Sequence, residues 1–202
     1  MRILILAHPR SGSTVLGYWL SNELQYLCFL ECWGLGSNDW DVYYPMNSHH
    51  ELTVIPNDNV VVKEMIGGNY MQRIDWMNDG WDRIIRLVRE DTYDAAISAV
   101  RCYSTYKWGG FREQYKLPIG FVESNLDAIK SQYMGFTSDS NRIKAMDIGL
   151  LVTYESIYCE NNSDTLNRIK EYIGKEGEWK YTNMLHPQNR YRKPENWKRN
   201  II

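Results

Sequence analysis

The chain has 202 residues, enough for one domain of mixed type with a sizeable core. Its formal net charge is -2, from 23 basic and 25 acidic residues. That balance excludes a global field for nucleic acid or an anionic membrane, so any anion site must be local. No apolar run approaches the ~18 residues that a membrane span needs. The run Ile3–Ala7 is too short for a signal peptide and leads at once to Pro9-Arg10 rather than to a small-residue cleavage site. Cys28, Cys32, Cys102 and Cys159 have no metal-ligand spacing and read as reduced thiols of a cytoplasmic protein. Aromatic residues make up 13% of the chain, with 8 Trp and 15 Tyr, which suits either a packed core or a sugar-binding cleft.

In chain order, Ile3–Leu6 is apolar without alternation and predicts a buried parallel strand. Leu16, Leu20, Leu24 and Leu27 recur at helical spacing and predict an amphipathic helix over 14–26. Leu27–Leu30 reads as a second strand. Val60–Lys63, after the turn-like Pro56-Asn57-Asp58-Asn59, reads as a third, and Ile84–Val88 as a fourth. Thr92 to Trp108 predicts a helix, with Ala95, Ala96, Ala99 and Val100 as a small-residue surface. Residues 109–147 read as helical but irregular. Gly149–Tyr154 predicts a fifth strand, and Asp164–Ile173 a helix stopped at Gly174. The alternation predicts an α/β fold: a P-loop-like parallel β-sheet flanked by helices, in one domain over 1–202. Residues 34–59 form a loop-rich excursion, and 186–202 a basic tail with Arg190, Arg192, Lys193, Lys198 and Arg199.

Ligands of such sheets bind beyond the carboxyl ends of the strands. There Pro9-Arg10-Ser11-Gly12-Ser13-Thr14 joins the first strand to the first helix. Backbone N–H groups and the positive end of the helix favour an anion. Gly12 permits the turn, Ser13 and Thr14 bring hydroxyls, and Arg10 a fork of donors for phosphate or sulfate oxygens. A capped turn is the plainer alternative, against which stand the buried strand before the loop and the leucine-faced helix after it. The loop lacks the lysine that a P-loop kinase uses at the transferring phosphoryl group.

The segment "PRSGST" resembles the 5'-phosphosulfate loop of sulfotransferases that use 3'-phosphoadenosine-5'-phosphosulfate (PAPS). A second segment, "RLVREDTYDAAISAVRCYSTYKW", resembles the 3'-phosphate segment of the bacterial trehalose 2-sulfotransferase family, also called the lipopolysaccharide sulfotransferase family. Arg89, Asp91, Ser98, Arg101, Thr105 and Trp108 fall at that family's places, while Ala95 stands where the family has Gln. Weaker echoes follow in "VVVKEM", "VTYESI", "LNRIKEYIG" and "YRKPENWKR".

The resemblance implies a sulfotransferase with PAPS as cofactor and no metal. It implies transfer to a hydroxyl, on a carbohydrate or glycolipid head group. Arg10 and Ser11-Gly12-Ser13-Thr14 would hold the 5'-phosphosulfate. Arg89 and Ser98 would read the 3'-phosphate, joined by Arg101, which lies one turn on along the same face. Glu31, after the second strand, would take the acceptor's proton, and Lys63 would touch the bridging oxygen or the acceptor. Glu64 and the pair His49-His50 are rival bases. Trp33, Trp40, Tyr43 and Tyr44 offer a stacking wall for a sugar, although core packing is the plainer reading of each. Arg190, Arg192 and Lys193 either reach the 3'-phosphate side or form a solvated tail. Relatives form homodimers. Two rival functions stay open: a P-loop nucleotide or small-molecule kinase, and a non-catalytic PAPS- or nucleotide-binding module.

Overall fold

The computed structural model describes residues 1–30, 41–43, 58–66, 80–105, 119–159, 163–180 and 182–185. Six strands form one sheet: β1 (Arg2–Ala7), β2 (Leu27–Leu30), β3 (Asp41–Tyr43), β4 (Val60–Met65), β5 (Arg83–Val88) and β6 (Leu150–Thr153). Their order is β3-β2-β4-β1-β5-β6. Five run parallel, and β3 pairs antiparallel with β2 at the edge. The helices are α1 (Ser13–Leu24), α2 (Thr92–Thr105), α3 (Phe121–Ser124), α4 (Leu126–Ala145), α5 (Tyr154–Tyr158) and α6 (Ser163–Ile173), followed by a 3-10 turn at Thr182–Leu185.

The apolar strand sequences follow from burial on both faces. Ile3, Ile5 and Ala7 of β1, with Val61, Ile85 and Leu87, meet Leu16, Trp19 and Leu20 of α1, Ile157 and Tyr158 of α5, and Leu166 and Ile169 of α6. Leu4 and Leu6, with Phe29, Val60, Val62 and Val88, meet Ile143 of α4 on the opposite face. The small-residue surface of α2 is used as its sequence suggests: Ala95, Ala96, Ala99 and Val100 pack with Ile129 and Phe136 of α4. The region read as irregular thus contains a regular helix of 20 residues. No helix among the described residues is long and apolar enough to cross a membrane.

Charged residues also lie inside this layering, and one of them holds a helix end. Arg86, on β5, is buried against the end of α4. Its guanidinium donates to the carbonyl of Ile143 at 3.0 Å, to that of Lys144 at 3.4 Å, and to that of Met146. Helix carbonyls at a C-terminus lack intrahelical donors, and a cation there also meets the negative end of the dipole. Arg86→Met is expected to cost about 1–3 kcal/mol of stability, because it strands those carbonyls. Urea denaturation checks this, and Arg86→Lys should lose less.

Candidate functional site

The chain leaves β1 toward α1 on one sheet face. It leaves β5 toward α2, which packs with α4 on the other. Neighbouring parallel strands whose connections diverge in this way open a crevice at their carboxyl ends. Three segments meet there: residues 8–14 after β1, 89–98 after β5, and 154–158 after β6.

In the loop after β1, Arg10 has φ 63° and Gly12 φ 86°. A Cβ on Gly12 would lie 2.5 Å from Tyr158 Cε2 and 3.0 Å from Tyr154 Cδ2, so glycine is required both by its torsion and by its neighbours. The Tyr158 hydroxyl donates to the Gly12 carbonyl at 2.7 Å. Helix α1 starts at Ser13 with Gly12 as its N-cap, and no side chain among the described residues caps it. Its first N–H groups therefore stand at the positive end of a twelve-residue helix without the usual side-chain acceptor. Ser11 is fully buried, and its hydroxyl finds no partner among the described residues. Ser13 is buried and Thr14 partly so.

The segment after β5 interlocks with this loop. Arg10 Nε donates to Ser98 Oγ at 3.0 Å, and Arg89 Nη1 donates to the Arg10 carbonyl at 3.3 Å. Arg89 Nη2 reaches Asp94 Oδ2 at 3.4 Å, and the guanidinium lies 4.4 Å from the centre of the Tyr154 ring. The Arg89 Nε–H is buried without a partner among the described residues. Helix α2 is begun by Asp91, whose carboxylate accepts from the Asp94 N–H at 3.1 Å. Glu155 of α5 accepts from the Glu90 and Asp91 N–H groups at 3.1 and 3.2 Å, tying the third segment to the second.

His8 joins the first two segments from beneath. It is fully buried beside Phe136, with ring centres 5.7 Å apart. Its Nδ1 lies 2.9 Å from the Pro9 carbonyl, which can only accept, so Nδ1 carries the proton. Its Nε2 lies 2.9 Å from the Arg89 N–H, which can only donate, so Nε2 is the bare nitrogen. Burial agrees with this neutral ring, pushing the imidazole pKa down to about 4.

The structure therefore brings together Arg10, Ser11, Gly12, Ser13, Thr14, Arg89 and Ser98, with the part-buried Arg101 one turn further along α2. In the structure Ser98 is bonded to Arg10, while Arg89 turns to Asp94 and Tyr154. Lys63 is not at the strand's end. β4 runs on to Met65, and Lys63 is buried in register with Ile5 and Leu30, on the sheet face that carries α1. Glu64 is buried on the opposite face. Glu31, His49-His50, Trp33, Trp40, Tyr44 and the tail from 186 lie outside the described residues; Tyr43 ends β3. His8, Asp94, Tyr154, Glu155 and Tyr158 have no role in the sequence reading, although "VTYESI" carries two of them, Tyr154 and Glu155.

No family model and no curated protein matches the sequence. Among solved structures, the crystal structure of mouse sulfotransferase SULT7A1 complexed with PAP is similar to this chain, with a TM-score of 0.53 at 16% identity. The match covers 94% of this chain and 63% of that one, so the chain spans less than two thirds of that protein's length. The likeness is one of fold: a parallel sheet flanked by helices.

Proposed function

We propose that the chain is a sulfotransferase with PAPS as its sulfuryl donor and a hydroxyl, on a carbohydrate or glycolipid head group, as its acceptor. The observation that carries this reading is Ser11, a fully buried hydroxyl that has no partner among the described residues and lies between Arg10 and a helix start that none of their side chains caps. Buried polar groups are normally satisfied, and an orphan at the positive end of a helix fits an anion. The two-ended arrangement favours a ligand with two phosphate groups. Ser98 accepts from Arg10, so its own O–H can donate, and Arg89 keeps an Nε–H that has no partner among the described residues. The solved structure similar in fold was determined with PAP.

When bound, PAPS supplies the sulfuryl group and a phosphate leaving group. The N–H groups and hydroxyls of 11–14, with Arg10, would stabilise the charge that collects on the leaving phosphate. Arg89, Ser98 and Arg101 would fix the 3'-phosphate. Glu31, immediately after β2, would accept the acceptor's proton, and Lys63, from the neighbouring strand, would lie toward the same edge.

Calorimetric titration with 3'-phosphoadenosine 5'-phosphate (PAP), AMP, and ATP with and without Mg2+ tests the reading. PAP should bind without metal and more tightly than AMP or ATP. Arg89→Ala should lose about 10- to 100-fold in PAP affinity, the worth of a charged hydrogen bond, with little change for AMP. Should ATP with Mg2+ bind best, the chain is a kinase-like protein instead. With PAP binding established, Glu31→Gln should leave affinity intact and abolish transfer to an acceptor.

A further inference from the structure

We infer that His8 is a positioning residue that sets the spacing between the two phosphate subsites, and so governs selectivity for a ligand phosphorylated at both ends; this rests on the function proposed above. The ring bridges the two segments directly, from the Pro9 carbonyl at the mouth of the loop to the Arg89 N–H at the end of β5, each at 2.9 Å. Two further links lie above it: Arg89 Nη1 to the Arg10 carbonyl, and Arg10 Nε to Ser98 Oγ. Loop and α2 segment are thus held in one register by three crossing contacts. His8 is the buried member, wedged on Phe136, and cannot adjust toward solvent. Packing fixes such a ring, and a fixed ring fixes the two backbones bonded to it.

A ligand with one phosphate reads only one segment and is indifferent to their spacing. A ligand with two phosphates reads the distance between them. Loosening the bridge should therefore weaken PAP while sparing AMP, a signature that a general loss of folded protein does not produce.

The test is the ratio of PAP to AMP affinity by calorimetry in three full-chain variants, with melting temperature as a check on folding. His8→Phe keeps a ring on Phe136 but has neither nitrogen. His8→Asn keeps a donor near the Nδ1 position and loses the acceptor toward Arg89. His8→Gln places an amide oxygen near the Nε2 position and restores that acceptor. The ratio is expected to fall about tenfold in His8→Phe and His8→Asn, the effect of one misplaced charged contact, and to recover in His8→Gln. Equal weakening of PAP and AMP, or an unchanged ratio in His8→Phe, overturns the inference. If His8→Phe does not fold, the Gln and Asn variants decide: equal ratios in the two overturn it, and recovery confined to Gln supports it. If the unmutated protein does not distinguish PAP from AMP at all, it is the functional reading that has failed.

Discussion

Gly12→Ala should destabilise the protein by roughly 2–4 kcal/mol and abolish binding of PAP, because two independent costs fall on one atom. The first is torsional. At φ 86° an L side chain is strained, and α1 begins immediately afterwards, so the turn cannot relax without unwinding the first helical turn. The second is steric. The new Cβ would meet Tyr158 Cε2 at 2.5 Å, and that ring is held in place: its hydroxyl is bonded to the Gly12 carbonyl, and it packs at a tilt on Tyr154 with centres 4.9 Å apart. It is not the loose tip of a flexible chain. Urea denaturation measures the stability and calorimetry the binding. Tyr158→Ala made in the same chain should remove the larger part of the steric cost and leave the torsional one, so the double variant should be less destabilised than the sum of the two singles. A Gly12→Ala protein within about 0.5 kcal/mol of its parent, the range of an ordinary surface change, would mean that the loop does not have this conformation.

The loop was legible because everything that makes it is consecutive: an apolar strand, six residues of turn, and a leucine-faced helix. β1, β4 and β5 were legible for the same local reason, since strands buried on both faces read as unbroken apolar runs. β4 was cut short at Lys63 because Lys-Glu looks like an exit to water. The ladder instead carries both residues inward, pairing Lys63 with Ile5 and Glu64 with Leu6. β3 has three residues and is defined by its pairing with β2, which no propensity signals. α5 begins at Tyr154, where the sequence ends its fifth strand, and no periodicity marks its five residues. Its only local mark is a capping box, in which Thr153 Oγ1 accepts from the Ser156 N–H and Ser156 Oγ answers the Thr153 N–H.

The contacts that shape the crevice are non-local and were not legible. Tyr158 and Gly12 are 146 residues apart in sequence, Arg89 and His8 81, and Arg10 and Ser98 88. A sequence motif can nominate Arg10, Arg89 and Ser98 as neighbours of one ligand. It cannot say that the loop arginine, rather than Arg89, takes the serine hydroxyl, because that depends on the left-handed turn at Arg10 and on the competing pull of Asp94 and Tyr154 on Arg89.

Acid should weaken the folded state through His8 before it protonates most carboxylates. The folded imidazole titrates at about 4, chiefly because burial removes the water that would stabilise its charge, against an ordinary value of 6.5. Arg89 and Lys144 add positive charge nearby in the same direction. Geometry opposes protonation as well, since a proton on Nε2 would face the Arg89 N–H, donor against donor. The unfolded chain therefore binds a proton between pH 6.5 and 4 that the folded chain refuses. Stability rises with pH through that window, is complete above it, and is lost as pH falls through it. The difference in titration corresponds to about 3 kcal/mol in full, of which about 2 should be lost between pH 7 and 4.5. His8→Gln cannot titrate, so its urea midpoint should fall less over the same range. The difference between the two proteins isolates His8 from every carboxylate that titrates in both. Parallel pH profiles would mean that the ring is not held neutral, and the bridge from Pro9 through His8 to Arg89 would fall with it.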